Sequence, residues 1–190
     1  SLPDGKKKSE QQYAILMKPG YHLGLSFGHD RRFAMSHQFV AGSKTNLVAA
    51  FSSGKFDENE WHHVVGTVNR SEGTVNLFVD GKAAGSAEFP ANSRGYVSSE
   101  LWRIGVASPM GKSHQWHADG AVDQVRIYNR ALETEEINEL YVVEQPAPFE
   151  KEMLVYYPFN AGDIKNVKES LPSKGSSGGF SLVEPQKNPL

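Results

Sequence analysis

Cysteine is missing from all 190 residues of this chain. Its absence removes disulfides, thiolate metal sites and a cysteine nucleophile. Long apolar runs are missing too. No stretch approaches the roughly 20 residues that cross a bilayer, so membrane insertion is not expected. The opening "SLPDGKKKSE" has no apolar segment of the kind a signal peptide carries, and Ser1 is expected to be a processed or trimmed end. Neither sign of charge is in real excess: 20 basic and 22 acidic residues leave a formal charge of -2, which excludes the basic footprint of a nucleic-acid binder. There is no G-x-S-x-G elbow, no HExxH and no glycine-rich phosphate loop.

The chain does have the means to build a core. Hydrophobic residues make up 38% of it and aromatics 11%, too much apolar surface for a disordered chain. The length suits one large domain, or one domain and a fragment of another.

Most of the chain reads as short strands punctuated by Gly, Asn, Asp and Ser. In "YHLGLSF", Tyr21, Leu23, Leu25 and Phe27 alternate with His22, Gly24 and Ser26, the period of a half-buried strand. "RFAMSHQF" and "NLVAAF" are shorter candidates. "WHHVVGTVN" and "TVNLFVD", joined by "RSEG", read as an antiparallel hairpin. Asp80-Gly81-Lys82 is a tight-turn signal, because Asp-Gly tolerates the positive φ of a two-residue loop. "KAAGSAEF", "LWRIGVA" and "AVDQVRIYN" follow as further strands. Many short strands with frequent turns predict an antiparallel sandwich, jelly roll or barrel. One helix is expected, over "TEEINELY", with Ile137, Leu140 and Tyr141 on one stripe, Thr134 as N-cap, and Glu135 and Glu136 at the positive end of the dipole. Two turns are marginal alone, so this helix must dock on the sandwich. The Pro-rich "VVEQPAPFEKE" reads as a linker or extended edge, "MLVYYPFN" as a strong strand, and "SLPSKGSSGGFS" as a loop.

The doublet His62-His63 invites a metal or proton-relay reading. Successive strand residues point to opposite faces, so the two rings should diverge. A zinc site on a strand would favour i, i+2 spacing and one on a helix i, i+4. A structural role is expected for both.

"EWHHVVGTVNRSEGTVNLFVDGKAAGS", "LWRIGVAS" and "DGAVDQVRIYNRALETEEINELY", in that order, resemble the laminin-G-like domains of the concanavalin A-like lectin/glucanase superfamily. Trp61-His62-His63-Val64 matches the family's "WHHVA" strand. Phe78 to Lys82 matches its "YVDGK" hairpin, with Phe for Tyr. Asp119-Gly120 through Tyr141 matches its closing segment. The resemblance implies an all-β, two-sheet antiparallel jelly-roll sandwich with one short C-terminal helix, spanning residues 1–143, then a linker at 144–152. "MLVYYPFN" looks like the family's opening strand "LVAYYPFD" but sits at the far end. Residues 153–190 therefore either open a second, truncated copy or close the same sandwich in permuted order.

Two groups of residues are candidates for recognition. "SPMGKSHQWHADG" brings Trp116, His114, Gln115 and Lys112 into one loop, where an aromatic face can stack on a pyranose while polar groups bind its hydroxyls. Arg31, at the tip of "FGHDRRF", offers a fork suited to carboxylates or acidic sugars. Asp123 shares parity with Val125 and Ile127. It is expected either to pin a loop through backbone amides or, since some relatives hold calcium at a sandwich edge, to join Asp119 and the Gly120 carbonyl as oxygen ligands for that cation. Glucanases of the superfamily carry an E-x-D-x-E strand with carboxylates about 5 Å apart. The nearest stretch here, "DENE" at Asp57 to Glu60, lies at a turn. The sequence thus points to a non-catalytic carbohydrate-binding or adhesive module, partnered by a glycan or a cell-surface protein. It is read as a monomeric module of an exported, extracellular or cell-surface bacterial protein. The alternative is a structural spacer or protein-interaction domain of the same fold; a glycan-active hydrolase is the third reading.

Overall fold

The computed structural model describes residues 12–18, 23–96, 102–107, 116–118, 120–142 and 153–157. Its elements in chain order are β1 (Gln12–Lys18), β2 (Leu23–Gly28), β3 (Phe33–Ala41), β4 (Lys44–Phe51), β5 (Val64–Asn69), β6 (Thr74–Val79), β7 (Lys82–Glu88), β8 (Arg94–Gly95), β9 (Arg103–Ile104), β10 (Val106–Ala107), β11 (Trp116–His117), β12 (Val125–Tyr128), α1 (Thr134–Val142) and β13 (Met153–Tyr157). The chain divides into two units, Ser1–Val122 with Arg130–Pro148, and Asp123–Asn129 with Phe149–Leu190.

In the first unit, one sheet runs β4-β3-β2-β1-β9 with β8 on the side of β3, and a second runs β5-β6-β7. All the pairings are antiparallel, and β3 and β4 face β6 and β7 across the core. This is the expected two-layer sandwich. Its interior follows the period of two: Phe33, Met35 and Phe39 alternate along β3, and Val75, Leu77 and Val79 along β6, joined by Ala50 and Phe89. Leu77 and Val75 are fully buried, and side chains of this kind each contribute about 1.5–3 kcal/mol relative to exposure. Leu23, Leu25 and Phe27 pack on the same cluster, as their alternation predicts. A Cβ at Gly66 would stand 2.3 Å from the Met35 sulfur, so the missing side chain on β5 is what admits Met35 between the layers.

Two expected strands differ in extent. "WHHVVGTVN" pairs only from Val64 onward, leaving the histidines ahead of the ladder. "LWRIGVA" breaks at Gly105, whose φ of +72° turns the chain out of line. β9 pairs with β1 and β10 with β11.

The turn between β6 and β7 is Asp80-Gly81, with φ of +51° and +74°, the left-handed pair that a two-residue hairpin requires. Helix α1 buries Ile137 and Leu140, while the Tyr141 ring lies 5.8 Å from that of His63. The helix start is capped one residue earlier than expected. A carboxylate oxygen of Glu136 accepts the Glu133 N–H at 2.8 Å, the reciprocal half of a capping box with Glu133 as N-cap. Arg130 donates two further bonds of 2.6 Å to Glu136 and holds its carboxyl below the ordinary value.

In the second unit, β12 and β13 pair antiparallel, with Val125 opposite Tyr157 and Ile127 opposite Val155. Among the described residues, no helix is long and apolar enough to cross a membrane.

Candidate functional site at one end of the sandwich

The histidine doublet is built into the fold by Asp80. One carboxylate oxygen lies 2.9 Å from Nδ1 of His62 and the other accepts the backbone N–H of His63 at 3.0 Å. The Asp80 N–H returns a 2.8 Å bond to the His63 carbonyl. The His62 ring packs edge-on against Phe33 and Phe56. The two imidazoles diverge, His62 into this aromatic nest and His63 toward Tyr141. Among the described residues, no group of three or more His, Asp or Glu side chains is placed to hold a metal.

Around this clamp, several connections gather at one end of the two sheets. The β2–β3 turn closes with the Arg31 N–H to the Gly28 carbonyl at 2.8 Å and the Gly28 N–H to the Arg32 carbonyl at 2.9 Å. Residues 52–63, linking β4 to β5, fold back on this turn. The Arg31 carbonyl accepts the Phe56 N–H, Arg31 Nε donates to the Phe56 carbonyl at 3.0 Å, and Arg31 also pairs with the Asp57 carboxylate. Arg31 has a φ of +63°, which aims its side chain across to this loop. Arg32 pairs with Asp30 at 2.8 Å and lies over the Phe51 ring. Burial pushes the Asp30 carboxyl up, but the hydrogen bonds from Arg32 outweigh it and leave the group below its ordinary value. Tyr13 and His29 meet beside them, hydroxyl to Nε2 at 2.8 Å.

The β10–β11 pair lies toward the same end. Gln12 stands opposite Gly28 and Met17 opposite Arg103, and the Gly105 N–H bonds the Ile15 carbonyl at 2.8 Å. Running from Arg103 to Ala107 therefore carries the chain toward the Gln12 end of β1. Ala107 is paired with Trp116, so this pair lies toward the β2–β3 turn.

Of the residues singled out from sequence, Trp116 has its backbone in β11, while Lys112, His114, Gln115 and Asp119 lie outside the described residues. The topology brings the ends of their segment to the end of the sheet that holds Arg31. Arg31 already has carboxylate and carbonyl partners in Asp57 and Phe56. Asp123 departs from its expected parity. It is exposed while Val125 is buried, because Gln124 adopts a φ of +50° and breaks the strand alternation. One Asp123 carboxylate oxygen accepts the Gln124 N–H at 2.7 Å. Sequence reasoning missed Trp61. Counted into the expected strand "WHHVVGTVN", it is in fact 70% exposed in the loop ahead of β5. The run of polar residues in "DENEW" was the available signal that the chain was still in a loop.

A laminin G-type family model, described as Concanavalin A-like lectin/glucanases superfamily, matches residues 3–138. The chain belongs to this superfamily. No curated protein matches it. Among solved structures, a Bacteroides ovatus protein with an inferred carbohydrate-binding role is similar, with a TM-score of 0.54 and 17% identity, over 85% of this chain and 48% of that one. The chain thus spans about half the length of that neighbour. An S-layer domain-containing protein from Clostridium thermocellum aligns with a TM-score of 0.38 and 19% identity, over 72% of this chain and 65% of that one. The likeness to the Bacteroides protein is one of fold, and the concanavalin A-like fold hosts both lectins and glucanases.

Proposed function

We propose that this concanavalin A-like domain is a non-catalytic carbohydrate-binding or adhesive module of an exported, cell-surface bacterial protein, and that it recognises glycan at the end of the sandwich described above. The observation that carries this reading is topological. The β10–β11 pair, Ala107 with Trp116, lies toward the Gln12 end of β1, where the β2–β3 turn stands, and the loop folded onto that turn exposes Trp61. Lys112, His114 and Gln115 belong to the sequence between the two paired strands. Exposed aromatic faces stack on the apolar side of a sugar ring, and neighbouring polar groups bind its hydroxyls. The inferred carbohydrate-binding role of the Bacteroides neighbour supports the same reading. A non-catalytic role is supported by the carboxylates at this end: Asp30, Asp57 and Asp80 are engaged by Arg32, Arg31 and His62. A calcium contribution would draw on Asp119 and Asp123. An array of glycans probed with and without calcium tests the function. Saturable retention of a defined glycan is expected. A blank array with a protein partner recovered instead would replace this reading with that of an interaction domain. Calcium is tested separately by a rise in Tm on its addition, and an unchanged Tm removes it.

A further inference from the structure

The strand Met153–Tyr157 lies beyond residues 3–138, the part of the chain that matches the family, yet it supplies the antiparallel partner of β12, which lies inside that part. β12 is flanked in sequence on both sides by residues of the other unit but is grouped with β13 rather than with them. The partner strand reads Met-Leu-Val-Tyr-Tyr, and the next residue in sequence is Pro158, a residue type that cannot donate to a ladder. An apolar, aromatic segment of this kind is an aggregation hazard when unpaired. It is tethered to α1 by residues 143–152, a length that spans at most about 35 Å when extended.

We propose that the edge of β12 is an acceptor for this strand and that a second copy of the chain can supply it. The backbone ladder and the facing residues are the same whether the strand arrives from its own chain or from another. Only the tether distinguishes the two, which is why exchange of an identical element is a low-cost route to a dimer. In the monomer the tether favours the chain's own strand; when chains fold together at high concentration, the neighbour's strand competes for the same edge. The register between β12 and β13 fixes the geometry of either pairing: Val125 faces Tyr157, Arg126 faces Tyr156 and Ile127 faces Val155, with Leu154 accommodated at the register shift before Tyr128 meets Met153.

Because the chain has no cysteine, paired thiols can read this out without background. Directly opposed residues of an antiparallel pair lie about 4.5–5.5 Å apart between Cα atoms, within disulfide range. The full chain carrying both Ile127→Cys and Val155→Cys is expected to form an internal disulfide and migrate as a compact monomer without reductant. Full chains carrying Ile127→Cys alone and Val155→Cys alone, mixed, unfolded and refolded together at high concentration, are expected to yield a disulfide-linked heterodimer that reductant dissolves. Val155→Cys mixed with Ser43→Cys, on the exposed β3–β4 turn, sets the random-collision level. Failure of the double variant to close internally would overturn the pairing itself. Internal closure with no heterodimer above the Ser43 level would overturn exchange between copies. Neither result bears on glycan binding at the end of the sandwich.

Discussion

Asp80 and His62 meet across 2.9 Å, carboxylate oxygen to ring Nδ1, in a turn whose other carboxylate oxygen accepts the His63 N–H at 3.0 Å. This contact ties the loop bearing Trp61 to the β6–β7 hairpin of the sheet that the loop enters at β5. Asp80→Ala removes both bonds and places a Cβ-only residue at a φ of +51°, so a loss of about 1–3 kcal/mol is expected. Asp80→Asn keeps an acceptor and tolerates the left-handed backbone, and should lose less. Urea denaturation of both variants checks the order; equal losses would mean that neither the retained acceptor nor the tolerance of Asn for the left-handed backbone contributes at this turn.

The approach of β7 to β4 gives a second prediction. A Cβ on Gly85 would stand 2.2 Å from the Phe51 carbonyl oxygen, whereas one on Gly66 would meet the Met35 sulfur at 2.3 Å. A thioether can swing aside and a strand carbonyl cannot. Overpacking costs about 1–3 kcal/mol, and Gly85→Ala is expected at or above the top of that range, with Gly66→Ala below it. Thermal unfolding of the two variants decides the order, and the reverse result would contradict the close contact between the two sheets at Phe51.

What the sequence made legible, and what it hid, follows from the range of the interactions involved. The strands β2, β3 and β6 were readable because their apolar residues alternate against a single core, and β7 because it follows the Asp80-Gly81 turn. The Asp80-Gly81 turn was readable because so few residue pairs tolerate two successive positive φ values. The register break at Gly105 and the loss of parity at Gln124 were not, since each depends on one residue adopting a left-handed conformation that nothing local demands. The exposure of Trp61 was hidden for a related reason: the strand begins where Val64 finds Val79 across the ladder, and that is a long-range pairing. The divergence of His62 and His63 followed from chain geometry alone, but their shared partner Asp80, eighteen positions from the first of them, did not. The gathering of the Arg31 turn and the ends of the Trp116 segment at one end of the sheet depends on β9 lying beside β1, a neighbour relation that sequence spacing does not encode.

His37 supplies a pH dependence. It is buried, with its ring 5.0 Å from that of Phe89 and, among the described residues, no hydrogen-bond partner for either nitrogen. Burial, reinforced by the charge of Arg70, lowers its pKa below the ordinary 6.5. The unfolded chain therefore takes up the proton first. Stability from this site is complete above pH 6.5 and falls as the pH drops below that value. In His37→Phe the slope of unfolding free energy just below pH 6.5 should flatten. An unchanged slope would mean that the imidazole is not buried in its neutral form. The Arg130–Glu136 pair is lost in a separate, lower window. Its lowered carboxyl pKa keeps its contribution intact above the ordinary carboxylate value, and that contribution declines only as the pH falls below it.

Recognition at the end of the sandwich is the central claim, and the most direct test is the affinity of the retained glycan for the wild-type chain and for Trp61→Ala and Trp116→Ala, with far-UV circular dichroism as the check on folding. The account predicts that the variants stay folded and that at least one loses about tenfold or more in affinity, equivalent to about 1.4 kcal/mol. Folded variants that both bind the glycan as tightly as the wild type would contradict it.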